Sequence, residues 1–378
     1  MLFDIIAKKC YFVKHLFNLM AKKGKKVFVG LSGGVDSSVT ALLLKQAGHE
    51  VIGVHLRCFN VDGCGEKDAN DARRVAEELK IPFYVFDYEE EYKKRVVEYM
   101  VAGYERGETP NPDVMCNREI KFGLFFEKAM ILGADLVATG HYAQVKDGKL
   151  LAALDKNKDQ SYFLWAIKKD QLEKIVFPIG KLLKSEVREI AKKACLLTAD
   201  KKDSQGVCFL GQITLEDFLS DYLPKKKGRV INEKGEEVGE HLGAQFYTIG
   251  QRQGLDLKDK NKRLGVKGEV VTKAHYVSDK DVVKNEVMVV EGADNDLLFK
   301  KEMELRDLNW LSEVVMPLKV SARVRYRQPL FEADLFEKDG EMFLIAKEPQ
   351  KFVALGQSVV FYNDKGLVIG GGVIHKTN

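Results

Sequence analysis

The stretch LSGGVDSSVT, Leu31 to Thr40, follows directly on the apolar run Val27-Phe28-Val29, and this junction constrains the chain more than any other. The apolar run has the β-branched and aromatic character of a buried strand. Gly33 and Gly34 then let the backbone turn tightly and approach a ligand with no Cβ in the way. Ser32, Ser37 and Ser38 supply hydroxyl donors. A helix is predicted from about Ser37, its unsatisfied N–H groups and positive dipole end facing the turn. Strand, glycine turn and helix start, in that order, make an anion cradle. A Walker loop places Lys before its terminal Ser or Thr, whereas here Asp36 takes that slot, a residue suited to the magnesium side of a bound nucleotide.

Beyond the loop, SSVTALLLKQAG reads as a helix and VIGVHL, Val51 to Leu56, as a second strand. KDANDARRVAEEL follows as a helix, IPFYVFDY as a strand, and LGADLVATGHYA as a strand ending at Gly140-His141-Tyr142. This alternation predicts an α/β fold with a doubly wound parallel sheet. Ligands bind outside the carboxyl ends of such strands, so the loop, His55-Leu56 and Gly140-His141 are expected to share one crevice. From about Thr214 short segments broken by glycine predict a small mixed connector domain. Beyond about Asn285, VMVV, LKVSARVRYR, EADLFEK, EMFLIAK, QSVVFY and GLVIGGGVI predict successive strands of a C-terminal β-barrel or sandwich. The expected divisions are 1–19, 20–213, 214–284 and 285–378.

A chain of 378 residues exceeds one ordinary core, which agrees with two or three domains. No apolar run is long enough to span a bilayer, so an integral membrane protein is not expected. The net charge of +4 is small, but Lys22-Lys23, Lys25-Lys26 and Lys225-Lys226-Lys227 form local basic patches. Six cysteines without regular spacing, and no cleavable secretory leader, point to a reducing, cytoplasmic setting. Residues 1–19 are apolar with lysines, and Met20 opens a second start, MAKKGKKVFVG. This leading segment reads as an extension; a transit peptide is the rival, weakened by the lack of Arg.

Cys116 lies in TPNPDVMCNREIKF and Cys208 in KKDSQGVCFLG, each beside turn-forming and charged residues rather than on an apolar face. A cysteine is commonly a small buried hydrophobe. Here Asn111, Pro112 and Asp113 polarise the approach to Cys116, while Lys201, Lys202 and Ser204 put charge and hydrogen bonding near Cys208, which favours thiolate. Asp113 is either an acid/base or a turn-capping residue after Pro112. Arg323, Arg325 and Arg327 alternate with Val324 and Tyr326, so a strand there puts three guanidinium groups on one face, to grip phosphates or to protect a sheet edge. His55, Cys58 and Cys64 form a loose array without the paired hairpins of a zinc site. Cys10 falls in the leader, and Cys195 is expected on the apolar face of the helix SEVREIAKKACLL.

SGGVDS resembles the loop of PP-loop ATP pyrophosphatases, which cleave ATP between its α- and β-phosphates; several synthetase families share it. SGGVDS, NPDVMCNREIKF, ATGHYA, KDQSYFL, DSQGVCFLG, YTIGQRQG, RVRYRQP, GQSVVFY and GGGVI, in that order, resemble the tRNA-specific 2-thiouridylase family over nearly everything from Met20 onward. One departure is Gln205, where that family commonly carries Thr.

The resemblance implies ATP-dependent replacement of the 2-oxygen of the wobble uridine by sulfur in the tRNAs for Lys, Glu and Gln, with ATP and Mg2+ as cofactors. It assigns the nucleotide to Gly30, Leu31, Ser32, Gly33, Gly34, Val35, Asp36, Ser37, Leu56 and Gly140, with Asp36 on the Mg2+ side. Cys208 is implied as the persulfide carrier on a mobile loop, Cys116 as the second, nucleophilic thiol that closes a disulfide with it, and Asp113 as acid/base. Asn111, Pro112 and Asp113 are implied to meet a flipped-out base, and His141, Lys158, Asp159, Gln160, Arg325, Tyr326 and Gln357 the rest of the tRNA. The implied partners are tRNA and a persulfide donor, a cysteine desulfurase or sulfur-relay protein. Two alternatives stand beside this: sulfur delivery through an iron–sulfur cluster on Cys116, Cys208 and Asp113, and an RNA-binding adaptor that uses ATP only for structure.

Overall fold

The structure is a computed structural model that describes residues 24–59, 64–202, 213–257, 263–264, 270–271 and 274–378, with backbone alone at 64, 263–264 and 270–271. The leader and Cys208 therefore lie outside the described residues. The chain forms two compact units. One contains the described residues of Met1–Glu89, Glu119–Ser161 and Asp170–Gln205, the other those of Glu90–Arg118, Tyr162–Lys169 and Gly206–Asn378.

In the first unit β1 (Lys26–Gly30) leads through the glycine turn into α1 (Val35–Gln46). Then come β2 (Glu50–Arg57), α2 (Cys64–Glu78), β3 (Phe83–Asp87), β4 (Leu136–Ala138), β5 (Ile175–Val176) and α3 (Lys184–Lys193). All four pairings are parallel and the strand order is β3-β2-β1-β4-β5. This is the expected doubly wound sheet. Its order reverses between β1 and β4, and the crevice outside their carboxyl ends is where such sheets bind ligands. α1 is buried nearly all round, so Ser38 and Thr40 turn their hydroxyls back onto the carbonyls of Gly34 and Asp36, each at 2.8 Å. Val27, Val29, Val35, Val39, Val75, Ala76, Leu136 and Val187 make one core between sheet and helices.

The helix begins at Val35 rather than about Ser37, because Gly34 is already the N-cap. β4 stops at Ala138, leaving Gly140, His141 and Tyr142 in the loop that follows. Cys195 lies beyond the end of α3, exposed and at φ +55°, not on an apolar helix face. The left-handed backbone that closes the helix puts it there.

The second unit holds a mixed sheet and a closed barrel. The sheet consists of β6 (Gly228–Ile231), β7 (Glu237–His241), β8 (Asp256–Leu257), β9 (His275–Asp281) and β10 (Glu286–Glu291), in the order β8-β7-β6-β10-β9. The barrel runs β11 (Phe299–Trp310), β12 (Leu318–Arg323), β13 (Phe331–Lys338), β14 (Glu341–Lys351), β15 (Ser358–Tyr362) and β16 (Val368–Thr377), closed in the order β11-β14-β13-β12-β15-β16. Alternating inward residues such as Leu305, Val320, Leu335, Leu344, Val359 and Phe361 fill it. VMVV, expected among the barrel strands, is β10 and pairs with β6 and β9 instead. Periodicity marks a strand but not its partners. β12 ends at Arg323, so the expected alternation of three arginines does not form: Arg325 and Tyr326 lie in a turn, with Arg327 at φ +64°. Among the described residues no helix is long and apolar enough to cross a membrane.

Candidate active site

The phosphate loop is built as the glycines require. Gly33 adopts φ +73°, and a Cβ there would lie 2.5 Å from the Asp68 carbonyl oxygen of α2. Ser37 Oγ accepts from the Ser32 N–H at 3.1 Å, and the two hydroxyls lie 3.2 Å apart. No side chain caps the start of α1, whose first turn carries Asp36. An uncapped helix start behind a glycine turn leaves backbone N–H groups that can meet an anion. The β4 loop closes against it: a Cβ on Gly140 would come within 2.7 Å of the Ser37 nitrogen and 2.8 Å of the Asp36 carbonyl carbon. His55 Nδ1 meets the Leu31 carbonyl at 3.0 Å, and burial holds its pKa below the usual histidine range. Gly30, Leu31, His55, Leu56 and Gly140 thus sit at the carboxyl ends of β1, β2 and β4, as the sheet rule requires.

Asp36 is not left to solvent. Lys184 Nζ lies 2.7 and 2.8 Å from its two carboxylate oxygens, and the Tyr142 hydroxyl donates to it at 2.9 Å. Lys184 is the first residue of α3, where a cation opposes the helix dipole unless an anion faces it. Tyr142 is itself held by Gln160, whose Oε1 accepts from the Tyr142 N–H at 2.9 Å and whose own N–H donates to the Tyr142 carbonyl at 2.7 Å. Asp159 is buried and accepts from the Ala153 and Ser161 N–H groups at 3.0 and 3.1 Å, with Lys158 just before it. His141 is buried too, its Nδ1 2.6 Å from the Thr139 hydroxyl and its Nε2 3.4 Å from Lys121 Nζ. Burial, and then the Lys121 charge, push its pKa well below the usual histidine range.

In the second unit Asn111 caps the short helix Pro112–Met115, its side chain accepting from the Val114 N–H at 3.3 Å, with Pro112 at the first helical position. Asp113 is therefore not the cap. Its carboxylate belongs to the first turn, one helical turn before Cys116, which is present as a thiol with only 8% of its surface exposed. A cleft of about 320 Å³ opens beside this helix, and Asn111, Pro112, Asp113, Arg325, Tyr326 and Gln357 all line it. Arg325 donates to the Ile249 carbonyl at 2.7 Å and lies over the Phe352 ring, and burial lowers its pKa. Gln357 Nε2 donates to the Thr109 carbonyl at 2.7 Å. Tyr326 packs against Phe163 with ring centroids 4.7 Å apart, and the Arg327 guanidinium lies over the Tyr326 ring, 5.0 Å from its centroid. Tyr104, its hydroxyl pKa pushed up to about 12 by burial, also lines the cleft, with Tyr162 and Phe163.

The chain matches three family models in series: tRNA methyl transferase HUP domain over 25–212, tRNA methyl transferase PRC-barrel domain over 216–291 and aminomethyltransferase beta-barrel domain over 300–374. It is 44% identical over 368 residues to tRNA-specific 2-thiouridylase MnmA of Alkaliphilus oremlandii, covering 94% of this chain and 98% of that protein. The chain belongs to the tRNA-specific 2-thiouridylase family. A second 2-thiouridylase, MnmA of Francisella tularensis, is 43% identical over 93% of this chain and 99% of its own length.

Set against this 2-thiouridylase frame, the carried-over residues divide between the two units. The nucleotide set, His141 and Lys158 to Gln160 belong to the first; Asn111 to Asp113, Cys116, Arg325, Tyr326 and Gln357 belong to the second. Motif reasoning passed over Lys184, Tyr104, Tyr162 and Thr248. Lys184 carried a readable cue, a lysine immediately before a predicted helix. Thr248, whose hydroxyl accepts from Thr109 at 3.2 Å on the cleft wall, carried none, because only tertiary folding brings it there.

Proposed function

We propose that this chain is an ATP-dependent tRNA uridine 2-sulfurtransferase that exchanges the 2-oxygen of the wobble uridine in the tRNAs for Lys, Glu and Gln for sulfur. The observation that carries this reading is the cleft, where an aromatic wall and the Asn111–Asp113 segment meet one helical turn from the Cys116 thiol. An extruded pyrimidine needs such a wall to stack on and such polar groups to read its edge.

A uracil carbonyl loses its oxygen poorly. Transfer of AMP to that oxygen, with release of pyrophosphate, turns it into a good leaving group. The α1 start and the Ser32 and Ser37 hydroxyls hold the phosphates, and Lys184 offsets charge that develops on the departing pyrophosphate. The donor set fits a polyphosphate; Asp36, whose two oxygens Lys184 holds here, would have to give up that ion pair to hold Mg2+, which would supply further charge neutralisation when bound. Leu56 and Gly140 line the adenosine side, and Gly30 and Leu31 complete the nucleotide set. Asp113 exchanges a proton with the base. Cys208 carries the incoming sulfur as a persulfide. The outer sulfur of the persulfide forms its bond to C2 as the C2–O bond to AMP breaks; the Cys116 thiolate then attacks Cys208 Sγ, the S–S bond to the transferred sulfur breaks with its electron pair left on that sulfur, and the resulting Cys116–Cys208 disulfide is reduced by an external thiol. Arg325, Tyr326 and Gln357, with His141, Lys158, Asp159 and Gln160, contribute to tRNA binding.

A persulfide-forming desulfurase or relay protein supplies the sulfur, and the enzyme works in the cytoplasm. The domains are a catalytic part over 20–213, a connector from 214 and the barrel, with β10 counted by its pairing with the connector rather than from 285 onward. Mass spectrometry of nucleosides from tRNA incubated with the protein, ATP, Mg2+ and a persulfide-generating desulfurase tests the reading. It expects 2-thiouridine, and unmodified uridine under these conditions refutes it.

A further inference from the structure

Lys201, read from the sequence as a charge near Cys208, is held by two carboxylates. Its Nζ lies 2.8 Å from Asp68 Oδ1 and 2.6 Å from Asp71 Oδ2, both on α2. The Lys201 side chain is 30% exposed and that of Asp71 17%, so this pair is better shielded than the surface ion pair of Lys192 and Asp200, at 61% and 87%. The two carboxylates raise the Lys201 pKa against the opposing effect of burial, which keeps the ammonium charged.

The same stretch of chain is gripped from a second side. Arg188 on α3 donates to the Ala199 carbonyl at 2.9 Å and to the Lys201 carbonyl at 3.1 Å. Both gripping helices also touch the phosphate loop. The Asp68 carbonyl and Asp71 Cβ of α2 stand 2.5 and 3.1 Å from the place of a Gly33 Cβ, and α3 presents Lys184 to Asp36 one turn before Arg188. Residues 199–201 are thus tied, through two separate helices, to the turn that holds the phosphates. They lead by chain connection to Cys208, seven positions on from Lys201.

We propose that Lys201 is a positioning residue that, through Asp68 and Asp71, registers the chain entering the Cys208 segment to the phosphate loop, so that sulfur is delivered where the base is activated. The inference rests on the thiolation reading. Its consequence is coupling. An activated base that does not meet sulfur in time reacts with water, which restores the uridine and releases AMP, so ATP is consumed without product.

The test is the ratio of pyrophosphate released to 2-thiouridine formed, in single turnovers of full-length protein with persulfide already loaded. Wild-type enzyme is expected near one. Lys201→Met is expected to raise the ratio about tenfold, through slower sulfur transfer rather than slower adenylation, the size of effect that misplacement of a reacting group produces. Lys201→Arg, which can still span both carboxylates, is expected to restore it, as is the exchange Lys201→Asp with Asp71→Lys in part. A general loss of folding lowers both products together and leaves Lys201→Arg to decide. An unchanged ratio in Lys201→Met, or a raised ratio in Lys201→Arg, overturns the proposal. Wild-type enzyme that releases pyrophosphate and makes no 2-thiouridine refutes the thiolation reading instead, a separate outcome.

Discussion

In the phosphate cradle the residues from Gly30 to Ser37 are eight consecutive positions, and glycine conformation and a helix start do the work. The cleft of the second unit draws its wall from positions near 100–113, 162–163, 215, 248, 325–326 and 357. Both recognise parts of a nucleotide by the present reading, but they are made differently. A cradle of backbone N–H groups tolerates side-chain change and fails when a Cβ intrudes. A cleft of side chains tolerates backbone adjustment and fails when one anchoring group is lost.

The largest effect is expected at the thiol, where neither kind of construction can substitute for chemistry. Cys116→Ser should lower 2-thiouridine formation by about 10³-fold or more with ATP binding intact, as loss of a covalent group does. Product nucleosides by mass spectrometry and ATP titration together check it, and near-normal thiolation removes Cys116 from the mechanism. Next comes the charge that serves the cradle. Lys184→Met should slow pyrophosphate release by about 10²-fold, in the range for removing one stabiliser of developing charge. A change of twofold or less, about 0.4 kcal/mol, would reduce Lys184 to a structural ion pair with Asp36.

Gly140→Ala probes the backbone character of the cradle directly, since the added methyl meets the Ser37 nitrogen at 2.7 Å. ATP affinity measured by calorimetry should weaken about tenfold, roughly 1.4 kcal/mol, while tRNA affinity holds. In the cleft the expected order reverses. Arg325→Met leaves the Ile249 carbonyl without its donor and should cost about 1–3 kcal/mol in stability or tRNA affinity, with ATP affinity unchanged.

The smallest effect concerns Lys280 of the second unit, which donates to the Tyr247 carbonyl. Burial lowers its pKa from 10.5 to about 7, with Glu108 acting in the opposite sense. The unfolded chain then binds one more proton than the folded chain between these two values, so this group makes stability rise with pH across that window. The penalty is full below the folded value and fades above it. Lys280→Met should therefore raise the urea midpoint at about pH 6 and raise it less, or lower it, at about pH 9. Equal shifts at both pH values would place the Lys280 amine in water.

How far these regions could be read from sequence follows from the same contrast. The β1–turn–α1 unit was legible because apolar run, glycine pair and hydroxyls act within a few residues of one another, and only the helix start moved, to Val35. The doubly wound sheet was legible from alternation. β10 was found as a strand but placed in the barrel, because pairing with β6 and β9 is a long-range matter. Arg325 and Tyr326 were singled out, but as members of an alternating strand. The turn after Arg323 instead sends Arg325 to Ile249 and packs Tyr326 against Phe163, contacts with partners 76 and 163 positions away.

The sequence by itself determined the chemistry on offer: a glycine turn, a helix start whose N–H groups face it, an Asp three positions before a Cys, and strands in alternation. These are local, set by backbone conformation and by spacings of at most four residues. Tertiary structure alone decided which of those groups meet. It put Lys184 on Asp36, Lys201 between Asp68 and Asp71, and Gln357 on the carbonyl of Thr109. Such contacts span from 130 to 248 positions, and they depend on how whole elements pack to bury their apolar faces.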